Sequence, residues 1–400
     1  MRVLLSTIGS RGDVQPLVAL ASRLRDLGQE VLFCVPPDFR DWIGGFGFPM
    51  VPVGPEVRGK SGPVRPGTSS PEQRRQLMAD TVATQFAALT EAAKGCDLVL
   101  GFAALQFAAH SVAEAMGIPH VHATFCPITL PSPHHAPPVV PVWPHDEKAD
   151  NDARWALDAR RWNDDWRDAL NEQRAALGLD PVSDVLGHII TDRPWLAADP
   201  VLAPWPEPSD RTVFQTGAWF LPDDRPLSTE VEEFLDAGEP PVFFGFGSMA
   251  APEGVSHEMV RAARALGRRA IISRGWADLS LADEGPDCLC VGEVNVQALF
   301  RRVAAVVHHG GSGTTTIATA AGAPQVVVPQ WYDQHYWARR CEELGIGSAH
   351  APGAPTAGSL VTALNQVLQP DVAARARSIA AAVRTDGVMV AAQRLVAMAS

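Results

Sequence analysis

V-V-H-H-G-G-S-G-T-T-T, residues Val306–Thr316, is the stretch whose reading decides the fold of this chain. It reads as the end of a short buried strand (Ala304–Val307), two histidines at the strand's carboxyl edge, a glycine turn, and hydroxyl residues opening a helix. Gly310, Gly311 and Gly313 admit backbone conformations closed to other residues and let a ligand approach the main chain closely. The first turn of a helix carries unpaired N–H groups and the positive end of the helix dipole, so a phosphate suits it. Ser312, Thr314 and Thr315 offer side-chain donors, and an imidazole beside a diphosphate can donate to a phosphate or leaving-group oxygen. The expectation is a diphosphate seat. No lysine follows the glycines, so it is not a P-loop, and the same residues would also serve a plain strand–turn–helix connection.

Outward from this turn, strands and helices alternate in both directions. Gln325–Pro329 reads as the next strand, followed by Q-W-Y-D-Q-H (Gln330–His335), and two helices, Val372–Val383 and Val388–Met398, close the chain. Before the turn come a strand Pro241–Phe246 ending in G-F-G-S-M and a helix capped by Ser256 and stopping at Gly267. Strands Ala270–Ser273 and Cys288–Val291 and a short helix Asn295–Phe300 follow. The amino-terminal half has the same rhythm. Strand Arg2–Thr7 leads into the loop I-G-S-R-G-D-V-Q-P (Ile8–Pro16), and helix periodicity runs through Leu17, Leu20, Leu24 and Leu27 to Gly28. Strand Glu30–Val35, helix Pro71–Lys94, strand Asp97–Gly101, helix Gln106–Met116 and strand His120–Phe125 continue it. Such alternation predicts an α/β chain of two Rossmann-like, doubly wound parallel-sheet domains facing a cleft, the default place for a site. The proline-rich stretch Pro200–Arg225 reads as the joint. The boundaries expected are 1–203 for the first domain, 204–225 for the linker, 226–384 for the second domain and 385–400 for a closing helix.

Composition narrows the function. Four hundred residues, 46% hydrophobic and 20% charged, suit a soluble protein with two sizeable cores. A net charge of −12 speaks against nucleic acid as partner, since neutralising phosphates needs a basic surface. No apolar run reaches the length of a membrane span, and Met1–Leu5 enters a strand without a basic leader. The six cysteines lie at 34, 96, 126, 288, 290 and 341 without framework spacing, which reads as reduced thiols in a cytoplasmic protein. The second strand ends C-V-P-P, with no acidic residue for a ribose hydroxyl, so a nicotinamide dinucleotide site there is not expected. Cys126–Pro144 carries too many prolines for regular structure and leaves a strand's carboxyl edge, where ligand sites gather. Phe125 and Trp143, at either end of that loop, are the candidate acceptor contacts. The helix expected over Asp146–Leu177 sets Trp155, Trp162 and Trp166 on one face, either to pack or to form an aromatic wall.

Five motifs, taken together, resemble a known family. They are G-S-R-G-D-V-Q-P (Gly9–Pro16), S-R-G-W (Ser273–Trp276), V-G-E-V-N (Val291–Asn295), H-H-G-G-S-G-T-T (His308–Thr315) and V-P-Q-W-Y-D-Q (Val328–Gln334). The set, in this order, resembles the nucleotide-sugar-dependent glycosyltransferases of the GT-B fold. Within them it is most similar to the actinobacterial enzymes that decorate antibiotic aglycones, notably the glycopeptide (vancomycin-type) group. The amino-terminal motif also looks like that of sterol glucosyltransferases.

The resemblance implies that the carboxyl-terminal half holds the nucleotide sugar, the amino-terminal half the acceptor, and that the last helix packs back on the first domain. By motif, His309, Gly311, Ser312, Gly313 and Thr314 match diphosphate-binding positions, and Ser248 lines the same phosphates. Val294 and Trp276 fall where the base is seated, and Asp333 and Gln334 match the pair that bonds sugar hydroxyls. Asp13 matches the proposed general base, with Ser10 and Arg11 bordering the donor; His308 inherits no role and reads as a packing histidine. The implied reaction is an inverting transfer of a hexose or deoxyhexose from a TDP- or UDP-sugar to a hydroxyl of a hydrophobic or aromatic aglycone. The protein is expected to be a monomer or weak dimer. No metal and no bound cofactor are expected: the D-x-D of Asp150–Asp152 lies in a polar, helix-like run rather than at a strand end.

Asp13 precedes V-Q-P and a helix, so it would also serve as an N-cap, and Asp333 is the second candidate for the base. A sterol, lipid or polyketide O-glycosyltransferase, a nucleotide-sugar epimerase and a catalytically silent nucleotide-sugar-binding partner protein are the alternatives.

Overall fold

In the computed structural model every named strand pairs in parallel with its neighbours, in two separate sheets. The structure describes residues 1–58, 70–140, 146, 148–209, 211–281 and 285–398. In the first sheet the strands are β1 (Arg2–Thr7), β2 (Glu30–Val35), β3 (Met50–Pro52), β4 (Leu98–Phe102), β5 (His120–Thr124), β6 (Trp195–Leu196) and β7 (Phe214–Gln215). Their spatial order is β3-β2-β1-β4-β5-β6-β7. In the second are β8 (Val242–Gly245), β9 (Ala270–Ser273), β10 (Cys288–Val291), β11 (Ala305–His308), β12 (Gln325–Val327) and β13 (Gly347–Ala349), in the order β10-β9-β8-β11-β12-β13.

Strands covered by helices on both faces must be apolar throughout, which is why they read as unbroken Val, Leu and Ile runs. In the second sheet the two faces separate cleanly. Val242, Phe244 and Val307 join Met259, Leu360 and Leu364 in one cluster, while Phe243 and Val306 join Leu299, Phe300 and Ala318 in the other. The alternation is that of a pleated strand.

Strand order reverses between β1 and β4, and again between β8 and β11. At such a switch point the loops leaving the carboxyl ends diverge to opposite faces and leave a crevice for ligands. The helix start that follows β1 carries Asp13, and the loops that follow β8 and β11 carry Ser248 and His309.

The chain divides into two compact units. Among the described residues the first holds Met1–Val57, 70–221 and 384–398, and the second holds Arg58 and 222–383. Of the stretch expected as a linker, 204–225, the described residues up to Leu221 group with the first unit. There β7 pairs with β6, and Gln215 donates its side-chain amide to the carbonyls of Ala198 and Ala203, both at 2.9 Å. A strand of two residues at a sheet edge tolerates the neighbouring prolines that a central strand would not.

The helix Gly387–Met398 belongs to the first unit, where it packs against the helix Arg11–Asp26. Val388, Ala391, Ala392 and Leu395 are buried.

Two helix starts also differ from expectation. The first helix begins at Arg11, with Pro16 inside it, so Ser10 is the N-cap and Asp13 lies in the first turn. The helix after β8 begins at Val255, capped by Gly254 rather than Ser256.

Candidate active site

The two histidines that end β11 point different ways. His308 is fully buried; its Nε2 lies 3.0 Å from Gln325 Oε1, and its Nδ1 accepts the Gly310 N–H at 3.1 Å. His309 is buried too, yet its Nδ1 has no hydrogen-bond partner among the described residues. Burial, with His308 as a lesser cause, pushes the His309 imidazole down to about 3, so it is a neutral donor-acceptor. An orphaned buried ring nitrogen costs about 1–3 kcal/mol unless a ligand satisfies it.

Glycines shape the slot around that ring. A Cβ on Gly311 would stand 2.5 Å from His309 Nε2, and one on Gly247 would stand 3.0 Å from its Cε1. Behind Gly247, Gly275 takes φ +55°, and a Cβ there would meet the Gly247 carbonyl oxygen at 2.5 Å. That same oxygen accepts the Trp276 N–H at 2.8 Å. The loop after β9 is thus laid against the loop after β8, with Trp276 and Ser248 on its two sides.

The helix Ser312–Ala321 starts directly beyond the turn, with Gly311 as N-cap and no side-chain cap bond. Its first N–H groups therefore face outward unclaimed by a capping side chain. Thr315 and Thr316 turn their hydroxyls back onto the carbonyls of Gly311 and Ser312, at 2.9 and 2.7 Å. Thr315 is not the ligand donor it was expected to be. Gly313 is exposed and Ser312 and Thr314 are half-buried.

The third loop follows β12. Gln334 turns its Oε1 to the N–H groups of Gln330 and Trp331, at 2.7 and 3.2 Å, so its amide NH2 is what it has left to offer. Asp333 is buried and accepts from Trp337 Nε1 at 2.8 Å. Tyr332, just before them, takes φ +57°, a strained conformation for a residue with a side chain. This loop reaches the other two. Gln330 Nε2 contacts the Ala250 carbonyl at 3.4 Å, and the Gln334 carbonyl oxygen lies 3.1 Å from where a Gly310 Cβ would be. Val294 follows β10, half-buried against the cluster that contains Leu299.

Desolvation raises the Asp333 carboxyl to about 6 from an ordinary 3.8, against the lowering pull of Trp337. A carboxyl raised on folding favours the protonated native state. Its stability contribution is full below about pH 3.8 and is lost as pH rises through about 6. Asp333→Asn keeps an acceptor for Trp337 and removes the charge. Thermal melts should show the variant more stable than the parent at neutral pH, by on the order of 2–3 kcal/mol, with the two converging near pH 4. A variant that melts at or below the parent at pH 7.5 contradicts this.

In the first unit, Asp13 Oδ2 accepts the Ser10 N–H at 2.8 Å, closing the first helix turn. A Cβ on Gly9 would stand 2.2 Å from that oxygen, so the carboxylate lies directly over a glycine. The Arg11 guanidinium covers the Trp42 ring at 4.5 Å and bonds Gln15 at 3.1 Å. Phe125 packs on Phe102, which stacks on Trp219 with ring centroids 5.2 Å apart. Trp155 is buried with its Nε1 on the His135 carbonyl, and Trp166 stacks on Phe107 at 4.3 Å, so these tryptophans serve packing. Trp143 lies outside the described residues.

Asp150 of the D-x-D caps the helix Asn151–Ala176, accepting the Ala153 N–H at 2.8 Å. Among the described residues, no group of three or more His, Cys, Asp or Glu side chains is arranged to hold a metal ion. No helix among them is long and apolar enough to cross a membrane. Gly247, Gly275, Tyr332 and Trp337 were not anticipated as parts of the site. The adjacent glycines of G-F-G and S-R-G were the available signal for the first two.

Residues 3–132 match the glycosyltransferase family 28 N-terminal domain, and residues 262–393 match the erythromycin biosynthesis protein CIII-like C-terminal domain. Among solved structures, glycosyltransferase VinC in complex with dTDP resembles this chain with a TM-score of 0.68 at 24% identity, covering 98% of this chain and 100% of that one. The fold is that of the GT-B glycosyltransferases. Vancomycin aglycone glucosyltransferase of Amycolatopsis orientalis is 49% identical, covering 99% of this chain and 97% of its own. Glycosyltransferase GtfE of the same organism is 51% identical with the same coverage. The chain belongs to this family, the vancomycin-type glycosyltransferases.

Proposed function

We propose that this enzyme transfers a hexose or deoxyhexose from a TDP- or UDP-sugar to a hydroxyl of a glycopeptide-type aglycone, with inversion and without a metal. The observation that carries the reading is the unpartnered buried Nδ1 of His309 beside an uncapped helix start, a set of donors suited to a diphosphate. The relative that is a vancomycin aglycone glucosyltransferase supports the acceptor class, and the dTDP bound by VinC supports the nucleotide.

Each step then has a residue. Loss of the nucleoside diphosphate puts charge on two phosphates, which His309, Ser312, Thr314 and the amides of Gly311 and Gly313 would stabilise by preorganised hydrogen bonds. Ser248 would line the same phosphates, Trp276 and Val294 would seat the base, and Asp333 with the Gln334 amide would hold sugar hydroxyls. Ser10 and Arg11 would border the donor, and Phe125 and Trp143 the acceptor. Asp13 would take the acceptor proton. A helix start favours its charged form, but the hydroxyl becomes far more acidic as it bonds to the sugar, so a late transfer suffices. Asp333 is the second candidate for the base, and its raised carboxyl favours it as an acceptor of protons near neutrality. Six free thiols suit a reducing compartment, and the cytoplasm is the proposed location.

A grid of TDP- and UDP-sugars against glycopeptide, polyketide and sterol aglycones, with products read by mass spectrometry, tests the reading. The expected product is a glycopeptide aglycone heavier by one sugar, formed equally in the presence of a chelator. Conversion of the donor without any acceptor would point instead to an epimerase, and no donor consumption across the grid to a silent binding partner.

A further inference from the structure

Behind the glycine turn lies a buried polar relay that joins three elements. Thr319, on the helix Ser312–Ala321, donates its hydroxyl to the Thr315 carbonyl at 2.8 Å and accepts Gln325 Nε2 at 2.9 Å. Gln325, the first residue of β12, meets His308 Nε2 through its Oε1, and His308 Nδ1 receives the Gly310 N–H. His308, Gln325 and Thr319 are all at most 1% exposed.

The directions of these bonds fix one another. A backbone N–H can only donate, so His308 Nδ1 carries a lone pair and Nε2 carries the hydrogen. That hydrogen needs an acceptor, which sets the Gln325 oxygen toward His308 and its NH2 toward Thr319. Burial keeps His308 neutral, holding it down to about 4. Gly310 itself, at φ +89°, is wedged. A Cβ there would stand 2.7 Å from Val327 Cγ1 and 3.1 Å from the Gln334 carbonyl oxygen. Where the Gly310 N–H is held therefore decides where Gly311 begins its helix and how the Asp333-Gln334 corner lies beside it.

We propose that His308, with Gln325 behind it, is a positioning residue for sugar transfer. It holds the Gly310–Gly311 turn so that the helix-start amides and the Asp333-Gln334 pair engage one donor together. The inference rests on the reading of this turn as a diphosphate seat.

The test uses the full chain, with dTDP and UDP as probes, titrated calorimetrically. His308→Leu fills the space but accepts nothing, and is expected to weaken nucleotide binding about tenfold, the usual loss on orphaning a buried donor. His308→Asn is smaller, yet places Oδ1 where Nδ1 lies, and should keep affinity within about threefold of the parent. A role in packing alone ranks Leu above Asn, and that ranking overturns the inference. Gln325→Glu gives a second, independent arm, which also serves if the position-308 variants fail to fold. A carboxylate against Nε2 raises the His308 pKa; once protonated, Nδ1 repels the Gly310 N–H. The affinity of this variant relative to the parent should fall as pH drops from about 8 to 6. Among the described residues the titratable neighbour is His309, with ring centroids 6.4 Å apart, and it is common to both proteins. Parallel pH profiles would overturn the inference. A parent chain that binds neither nucleotide would instead remove the diphosphate reading itself, and the inference with it.

Discussion

Asp13→Asn is expected to lower turnover by roughly a hundredfold to ten-thousandfold, the range for removing a general base, while nucleotide binding is unchanged. The substitution isolates chemistry from structure because asparagine, at the third helical position, still presents an oxygen to the N–H of the N-cap Ser10, now accepted at 2.8 Å. The thermal midpoint should therefore stay within a degree or two of the parent. Steady-state kinetics with saturating nucleotide sugar, beside calorimetry with dTDP, reads both quantities. If turnover survives within tenfold, Asp13 is a helix-turn residue and Asp333 inherits the role of base; Asp333→Asn, made for its stability effect, then becomes the decisive kinetic variant.

Gly311→Ala should cost about a hundredfold in kcat/KM with little change in stability, whereas Gly313→Ala should be neutral or stabilising toward unfolding. The two differ in what the added methyl meets. At Gly311 it would stand 2.5 Å from His309 Nε2, in a backbone conformation (φ −65°) that alanine adopts freely, so the imidazole must leave its slot. At Gly313 nothing lies within 4 Å, and alanine in place of glycine inside a helix gains about 0.5–1 kcal/mol. Melting curves and dTDP titration of both variants measure the contrast. Should Gly311→Ala bind dTDP as the parent does, the tight ring slot has no bearing on phosphate recognition.

The doubly wound sheets were legible from sequence for a physical reason. Strands buried on both faces need uninterrupted apolar residues, and Ala270–Ser273 and Cys288–Val291 end where the apolar runs end. The short strands β3, β6, β7 and β13, at or next to the sheet edges, were not legible, because two or three residues set no period and Met50–Pro52 even contains a proline. Nor was the helix Gln334–Glu343, since Q-W-Y-D-Q-H looks like a loop until Asp333 is seen at its start and Tyr332 in a left-handed corner.

At the site, residue types suggested the diphosphate chemistry, but not which hydroxyl or ring would be free to act. Thr314 and Thr315 are neighbours of one type, and only the helix geometry turns the second inward onto the Gly311 carbonyl. His308 and His309 are likewise neighbours, and the end of β11 parts them: His308, its last residue, turns into the relay, and His309, just past it, into the glycine slot.

The first unit is assembled from both ends of the chain, because the helix Gly387–Met398 lies on the helix Arg11–Asp26 and the Arg384 N–H reaches Asp199 at 2.8 Å. During synthesis, then, residues 1–221 precede 222–383 but find their remaining partner only after them. The nascent first unit must wait, with an apolar stripe uncovered, until residues 384–398 have been made, whereas 222–383, the bulk of the second unit, is one contiguous segment. Truncation before residue 384 should for that reason leave an aggregation-prone product rather than a slightly shortened enzyme.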